Sequence, residues 1–214
     1  MKVDRHGKAK LLSQTEIQLL FNEGLQTNRD RTLFAVALFS AARIHEVCSL
    51  LTQDVYNARG FVRSHLIIRK GNTKGQLASR TIPIIEDLRS ILVAYQPEAS
   101  EVYLFPGRFG GHINSDSAAR LLRQACKRVG IEGASTHSFR RTALTQMSDS
   151  GIPLRVIAAY SGHRDLSQLF AYLEVKDSQI LGAAASLSML SPIGQVGNVT
   201  FYDHPSDTVN KHRT

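Results

Sequence analysis

The chain has 214 residues, with 26 Lys plus Arg against 18 Asp plus Glu and a formal net charge of +8. Hydrophobic residues make up 43% and charged residues 21%, which excludes disordered and fibrous chains and fits one large domain, or one domain with a small appendage. The two cysteines, Cys48 and Cys126, lie in apolar surroundings; two thiols are no disulfide framework, and a reducing compartment is the natural reading.

Residues 1–10 (MKVDRHGKAK) lack the apolar stretch of a secretory signal and read as a flexible basic arm. The longest uncharged run, 178–202, is broken by Gly182, Pro192, Gly194 and Gly197 and makes a poor membrane span, so a soluble cytoplasmic protein with no membrane partner is expected. Ser13 with Glu16 three residues on has the form of a capping box before Ile17, Leu19, Leu20 and Phe21. Residues 31–42 (RTLFAVALFSAA) are apolar nearly all round and predict a buried central helix. Arg43 follows it directly, and 44–51 resumes a helical pattern. Residues 61–69 and 80–85, separated by the glycine-punctuated turn KGNTKG, predict a short β-hairpin.

Beyond the hairpin, 86–94 is helical and 97–113 is mostly loop. An amphipathic helix is expected over 115–129, with Ala118, Leu121, Leu122, Ala125 and Val129 on one side and Arg120, Arg123 and Lys127 on another. Thr136 is the expected cap of the next helix, which ends before Gly151. Pro153 opens a short helix that stops at Ser161-Gly162. Residues 167–173 and 176–187 complete the helices, and 188–214 reads as a tail. The fold class is therefore α+β, mainly α-helical with a small antiparallel β-hairpin.

The positive charge is uneven. Six basic residues and no acidic ones lie between Arg59 and Arg80, and a second basic stretch runs through Arg120, Arg123, Lys127 and Arg128. Clustered Lys and Arg are the footprint of a polyanion binder, although a merely basic soluble protein would show the same excess. Within this background a few residues are chemically expensive and oddly placed. Arg43 ends an apolar helix, where an unpaired buried guanidinium would be costly. His137 and Arg140 are three apart near a helix start, so they are expected to share a face beside a helix terminus that favours anions. His163 follows Ser161-Gly162, and Tyr172 comes nine residues later.

This ordered set resembles the tyrosine recombinase (phage integrase) family. Residues 42–50 (ARIHEVCSL) are similar to that family's first box, 136–142 (THSFRRT) to its H-x-x-R box, and Ser161-Gly162-His163 to its L-G-H element. The resemblance covers roughly residues 11–187, essentially the family's catalytic domain. It implies site-specific cleavage and rejoining of double-stranded DNA through a 3′-phosphotyrosyl link, without metal or other cofactor. Tyr172 would be the nucleophile, Arg43 and Arg140 a clamp on the non-bridging oxygens, His137 an assistant to proton movement, and His163 a phosphate hydrogen-bond donor.

The chemistry suits those residue types. Two guanidiniums can bind phosphate oxygens bidentately, which an ammonium cannot. A phenol with a pKa of about 10 needs nearby cations to become a nucleophile. Replacing either arginine by alanine is expected to stop cleavage while largely sparing the fold. The family's hairpin Lys, which protonates the leaving 5′-oxygen, has two candidates. Lys74 lies nine residues before Pro83 and Lys70 thirteen; Lys74 fits better, with Lys70 otherwise a DNA-contacting lysine.

Arg120, Arg123 and Lys127 form a candidate DNA-facing stripe or a solvated basic face. Arg5, Lys8 and Lys10 form a candidate phosphate-seeking arm. Two departures stand out: the family's usual Gly two residues before the first Arg is Ala41, implying a slightly different backbone, and the residue after the second Arg, often His, is Arg141. The family generally carries an upstream helical DNA-clamping domain, where this chain has about a dozen residues, so it resembles small stand-alone members such as those inverting fimbrial promoters. The resemblance implies a dimer or tetramer on DNA through the 176–187 helix, with accessory DNA-bending proteins as further partners, in a bacterial or phage-encoded setting at the nucleoid. The alternatives are a catalytically inert or partner-dependent DNA-binding regulator and a type IB topoisomerase-like relaxing enzyme. A metal hydrolase is disfavoured, since no H-x-x-x-H or H-x-H spacing occurs.

Overall fold

A computed structural model describes residues 9–69, 71, 79–170 and 177–187. The chain divides into two units, 1–175 and 176–214. In the first unit the elements run α1 (Gln14–Leu19), α2 (Asn28–Ser40), α3 (Ile44–Cys48), β1 (His65–Ile68), β2 (Arg80–Pro83), α4 (Glu86–Tyr95), α5 (Ser115–Arg128), α6 (Thr136–Asp149), α7 (Leu154–Ser161) and α8 (Leu166–Phe170). The second unit contributes α9 (Asp177–Ala185). This is the mainly helical α+β architecture expected, with one two-stranded antiparallel sheet among the described residues.

Helix α2 is the centre of the first unit. Leu33, Phe34, Ala35, Val36 and Ala37 are all buried, and Phe34 stacks on Phe139 of α6 with ring centroids 5.1 Å apart. A run apolar on every side can only be satisfied by neighbours on every side, and α3, α4 and α6 supply them. A smaller cluster of Ala41, Ala143, Leu144, Ile157, Ala158 and Leu169 closes the end of α2 against α6, α7 and α8.

Several boundaries differ from the sequence reading, each for a local reason. α1 is capped as expected, with Ser13 Oγ accepting from the Glu16 amide at 3.1 Å, but the chain continues as a π-turn over Leu20–Gly24. A Cβ on Gly24 would lie 3.1 Å from the Ala125 carbonyl oxygen, so the glycine permits this close approach to α5. α3 stops at Cys48 because the next backbone is used elsewhere: Leu104 donates to the Leu50 carbonyl at 2.9 Å, and Leu51 bridges Tyr103.

The first hairpin strand starts at His65, not Phe61, because Val62 pairs with Tyr56 and the Arg63 amide bonds Val55. Ser135, not Thr136, caps α6, and its amide donates to Ser138 Oγ at 3.0 Å. Pro153 is the cap of α7 rather than its first residue. Ala9 and Lys10, read as part of a free arm, are held: the Arg141 guanidinium donates to the Ala9 carbonyl, and Lys10 pairs with Glu16 at 2.6 Å. Arg5 and Lys8 lie outside the described residues. Cys48 and Cys126 are free and buried.

Candidate phosphate-binding site

Four chain segments converge at one end of α2: the α2–α3 corner, the start of β2, the first turns of α6, and the end of α7. Two helix C-termini meet there. α2 ends at Ala41 (φ 48, ψ 24), and α7 ends at Gly162 (φ 74, ψ 29), both in the left-handed region. Ala41 thus takes the conformation a glycine favours, not a shifted backbone. A methyl side chain held there costs about 1–2 kcal/mol.

The carbonyls left over at these helix ends are satisfied by a cation. Arg140 is 2% exposed, and its Nη1 donates to the Ala41 oxygen at 2.6 Å and the Ser161 oxygen at 3.1 Å. Its Nη2 donates to His163 Nε2 at 3.0 Å. The same Nη2 lies 3.3 Å from Nδ1, and a guanidinium donor facing the ring at this range favours the neutral imidazole. Its Nδ1 then faces Ser161 Oγ at 2.7 Å, and that hydroxyl donates to the Ile157 carbonyl at 2.6 Å. Burial, reinforced by the charges of Arg140, Arg43 and Arg80 and opposed by Glu46, pushes the His163 pKa down to about 4.

Arg43 precedes α3. Its amide donates to Glu46 Oε2 at 2.9 Å and its guanidinium lies 3.4 Å from Glu46 Oε1. Glu46 is 1% exposed and also receives Arg80 from β2, at 2.6 and 3.3 Å. Burial would raise the Glu46 pKa, but the Arg80 hydrogen bond and charge outweigh it and hold the carboxyl below its ordinary value. Arg43, Arg80 and Arg140 therefore surround one carboxylate and one neutral imidazole. The cluster carries excess positive charge in a partly desolvated setting, a natural seat for an anion.

Of the residues singled out by sequence, Arg43, Arg140 and His163 are brought together. His137 is the second residue of α6 and is exposed, whereas Arg140 turns into the interior; the two do not present one common face to solvent. Lys70, Lys74 and Tyr172 lie outside the described residues. Arg120, Arg123 and Lys127 are all exposed on α5, opposite buried Ala118, Leu122 and Ala125. Arg140 is interior and satisfies two helix ends, so Arg140→Ala is now expected to cost stability as well as cleavage.

Two site residues are missed by sequence reasoning. Glu46 stands inside the first box without an assigned role; its i+3 spacing from Arg43 across Ile44 is the signal. Arg80 reads in sequence only as one basic residue among six. It is in phase with Ile82 and Ile84, both buried, and strand alternation alone puts it on the inner face.

Residues 10–179 match the phage integrase family, and the chain belongs to that family. A tyrosine recombinase of Pseudothermotoga lettingae is 27% identical over 177 residues, covering 82% of this chain and 60% of that protein. Tyrosine recombinase XerC of Corynebacterium glutamicum is 28% identical over 160 residues, covering 72% and 49%. The chain thus spans about half to three fifths of the length of these relatives. Among solved structures, the XerA recombinase has a TM-score of 0.66 at 21% identity, covering 82% of this chain and 64% of that one. The Tn1549 transposon integrase in complex with transposon right-end DNA has a TM-score of 0.68 at 15% identity, covering 86% and 67%. At these identities the structural likeness establishes the shared fold.

Proposed function

We propose that the chain is the catalytic part of a site-specific DNA recombinase. Tyr172 Oη attacks a backbone phosphorus in line, the bond from phosphorus to the 5′-oxygen breaks, and a 3′-phosphotyrosyl link forms. The departing 5′-oxygen takes a proton from the hairpin lysine, Lys74 in the preferred assignment and Lys70 in the alternative. A 5′-hydroxyl of another strand then reverses the step. The phosphoryl bond energy is retained in the link, and no metal or nucleotide enters.

The observation that carries this reading is the convergence of Arg43, Arg80 and Arg140 around Glu46 and His163. Charge developing on the non-bridging oxygens of a phosphodiester is what Arg43 and Arg140, held in such a preorganised cluster, would stabilise. A bound phosphate would offset the guanidiniums and favour protonation of His163, which then donates to a phosphate oxygen. The nucleophile is assigned to Tyr172 by resemblance to the family's pattern. Tyr56, Tyr95 and Tyr160 donate their hydroxyls to the Leu92, Leu104 and Phe39 carbonyls at 2.7, 2.9 and 2.5 Å, and burial raises the pKa of each. Tyr172 stands nine residues after His163, the family's spacing. Exposed His137, in the first turn of α6, would assist proton movement at the phenol. The solved relative bound to DNA and the exposed stripe of Arg120, Arg123 and Lys127 support duplex DNA as the partner.

On DNA the enzyme would assemble as a dimer or tetramer through α9, aided by DNA-bending proteins, at the nucleoid of a bacterial host. Among the described residues no helix is long and apolar enough to cross a membrane.

The test is covalent trapping. Nicked duplexes from the flanks of the source gene are incubated with protein in EDTA, denatured in SDS and examined for a protein–DNA band. A band with wild type and none with Tyr172→Phe is expected. A native-gel shift with no covalent band would instead make the chain a DNA-binding regulator.

A further inference from the structure

Arg80 has no part in the clamp described above, yet it touches each side of it. Its Nη2 meets Glu46 Oε2 at 2.6 Å and its Nη1 meets Oε1 at 3.3 Å, and its side chain is only 12% exposed. The same carboxylate holds the Arg43 amide and guanidinium. On its other side Arg80 lies against Gly162: a Cβ at that glycine would be 2.8 Å from Arg80 Nη1 and 3.1 Å from Cζ. Gly162 is the residue before His163. The Arg80 backbone pairs with Ile68, the last residue of β1, so the side chain is fixed to a strand pair between whose members Lys70 and Lys74 stand in sequence. Its Nε is buried without a hydrogen-bond partner, a cost the molecule accepts at this one place in β2.

A strand residue that grips the acid orienting one phosphate-binding arginine, and fills the gap left by the glycine beside the histidine, ties three elements to a common geometry. We propose that Arg80 is a positioning residue for the cleavage step: through Glu46 it sets Arg43, through Gly162 it sets His163, and it locks the hairpin to both. Its guanidinium is engaged by Glu46 and lies against Gly162, so its action runs through those residues. This inference rests on the recombinase reading for its effect on rate, but not for its effect on the site itself. Displacing a catalytic group by about 1 Å commonly costs about 100-fold in rate.

The experiment compares Arg80→Met, which keeps the stem and removes the charge, with Arg80→Lys, which keeps the charge. A third protein, Arg80→Met with Glu46→Gln, avoids stranding a buried carboxylate if the single variant fails to fold. Three quantities are read: the rate of covalent adduct formation on a nicked duplex at saturating protein, DNA affinity, and the titration of His163 by NMR. The charged groups facing His163 are Arg140 on α6, Arg43 and Glu46 at α3, and Arg80 on β2; Arg164 and Asp165 follow it in its own loop.

Arg80→Met is expected to slow adduct formation about 100-fold, to leave DNA affinity within about threefold, and to raise the His163 pKa. Arg80→Lys should recover part of the rate. The double variant should be no slower than Arg80→Met, because both changes break one linkage. Wild-type rate and an unmoved His163 titration in Arg80→Met, or in the double variant if only that one folds, would overturn the proposal. If wild type itself forms no adduct while His163 still shifts, the recombinase reading fails and the positioning role stands.

Discussion

A guanidinium buried as deeply as Arg140 must find acceptors for its donors, and it finds them at two helix ends. The Ala41 and Ser161 carbonyls accept from Nη1, so removing the side chain orphans both and opens a void. Arg140→Ala should therefore lose about 2–4 kcal/mol of stability. Arg43 is partly exposed and shares its carboxylate with Arg80, and Arg43→Ala should stay within about 1 kcal/mol of wild type. Urea unfolding distinguishes the two, and both should fail to cleave; equal stability losses would contradict the burial argument.

His163 adds a pH dependence. Folded, it stays neutral down to about pH 4; unfolded, it takes a proton near pH 6.5. Between these values the unfolded chain binds more protons, so stability falls as pH drops from 6.5 toward 4 and levels off beneath. The loss is on the order of 2 kcal/mol after allowance for partial exposure. Glu46, whose pKa is lowered, adds a further loss only below its unfolded value of 4.5. Melting curves of His163→Gln should be visibly flatter than wild type between pH 6.5 and 4.5.

At the scale of the element, α5 separates two jobs along one helix. Ala118, Leu122 and Ala125 pack inward, Asn114 Oδ1 caps the first turn by accepting from Ser117 at 2.7 Å, and Arg120, Arg123 and Lys127 stay exposed. Changing those three to alanine should leave the melting temperature almost unchanged, since no buried contact is lost. If the stripe meets phosphates, DNA affinity falls and the slope of log K against log salt drops by about 2–3. An unchanged slope would make the stripe a solvated face. Amphipathic spacing makes this helix legible in the sequence, and the all-apolar run does the same for α2. The π-turn at Leu20–Gly24 and the early end of α3 are not legible there. Both arise from contacts with α5 and with residues 103–104, far away in sequence.

For the whole molecule, the net charge of +8 gives long-range attraction to a polyanion, but it does not set the assembly state. α9 exposes Ile180 and Leu181, at 58% and 68%. If these seat on a neighbouring protomer, Ile180→Glu with Leu181→Glu should abolish higher-order complexes on a two-site duplex. Single-site binding and melting temperature should be unaffected. Sedimentation of protein–DNA complexes reads this directly, and a retained dimer or tetramer would exclude α9 as the contact.

The sequence by itself determined the family, the order of Arg43, Arg140 and His163, and the helices whose periodicity is written in adjacent residues. Those features are local, so spacing carries them. Tertiary structure alone decided that Arg140 is interior while His137 is exposed, that His163 is neutral, and that Ala41 is left-handed. It also decided that Glu46 and Arg80, 34 residues apart, form one buried pair. Each of those outcomes depends on which helix ends and which strand meet at a point, and the charges placed there act on one another only once the intervening water is gone.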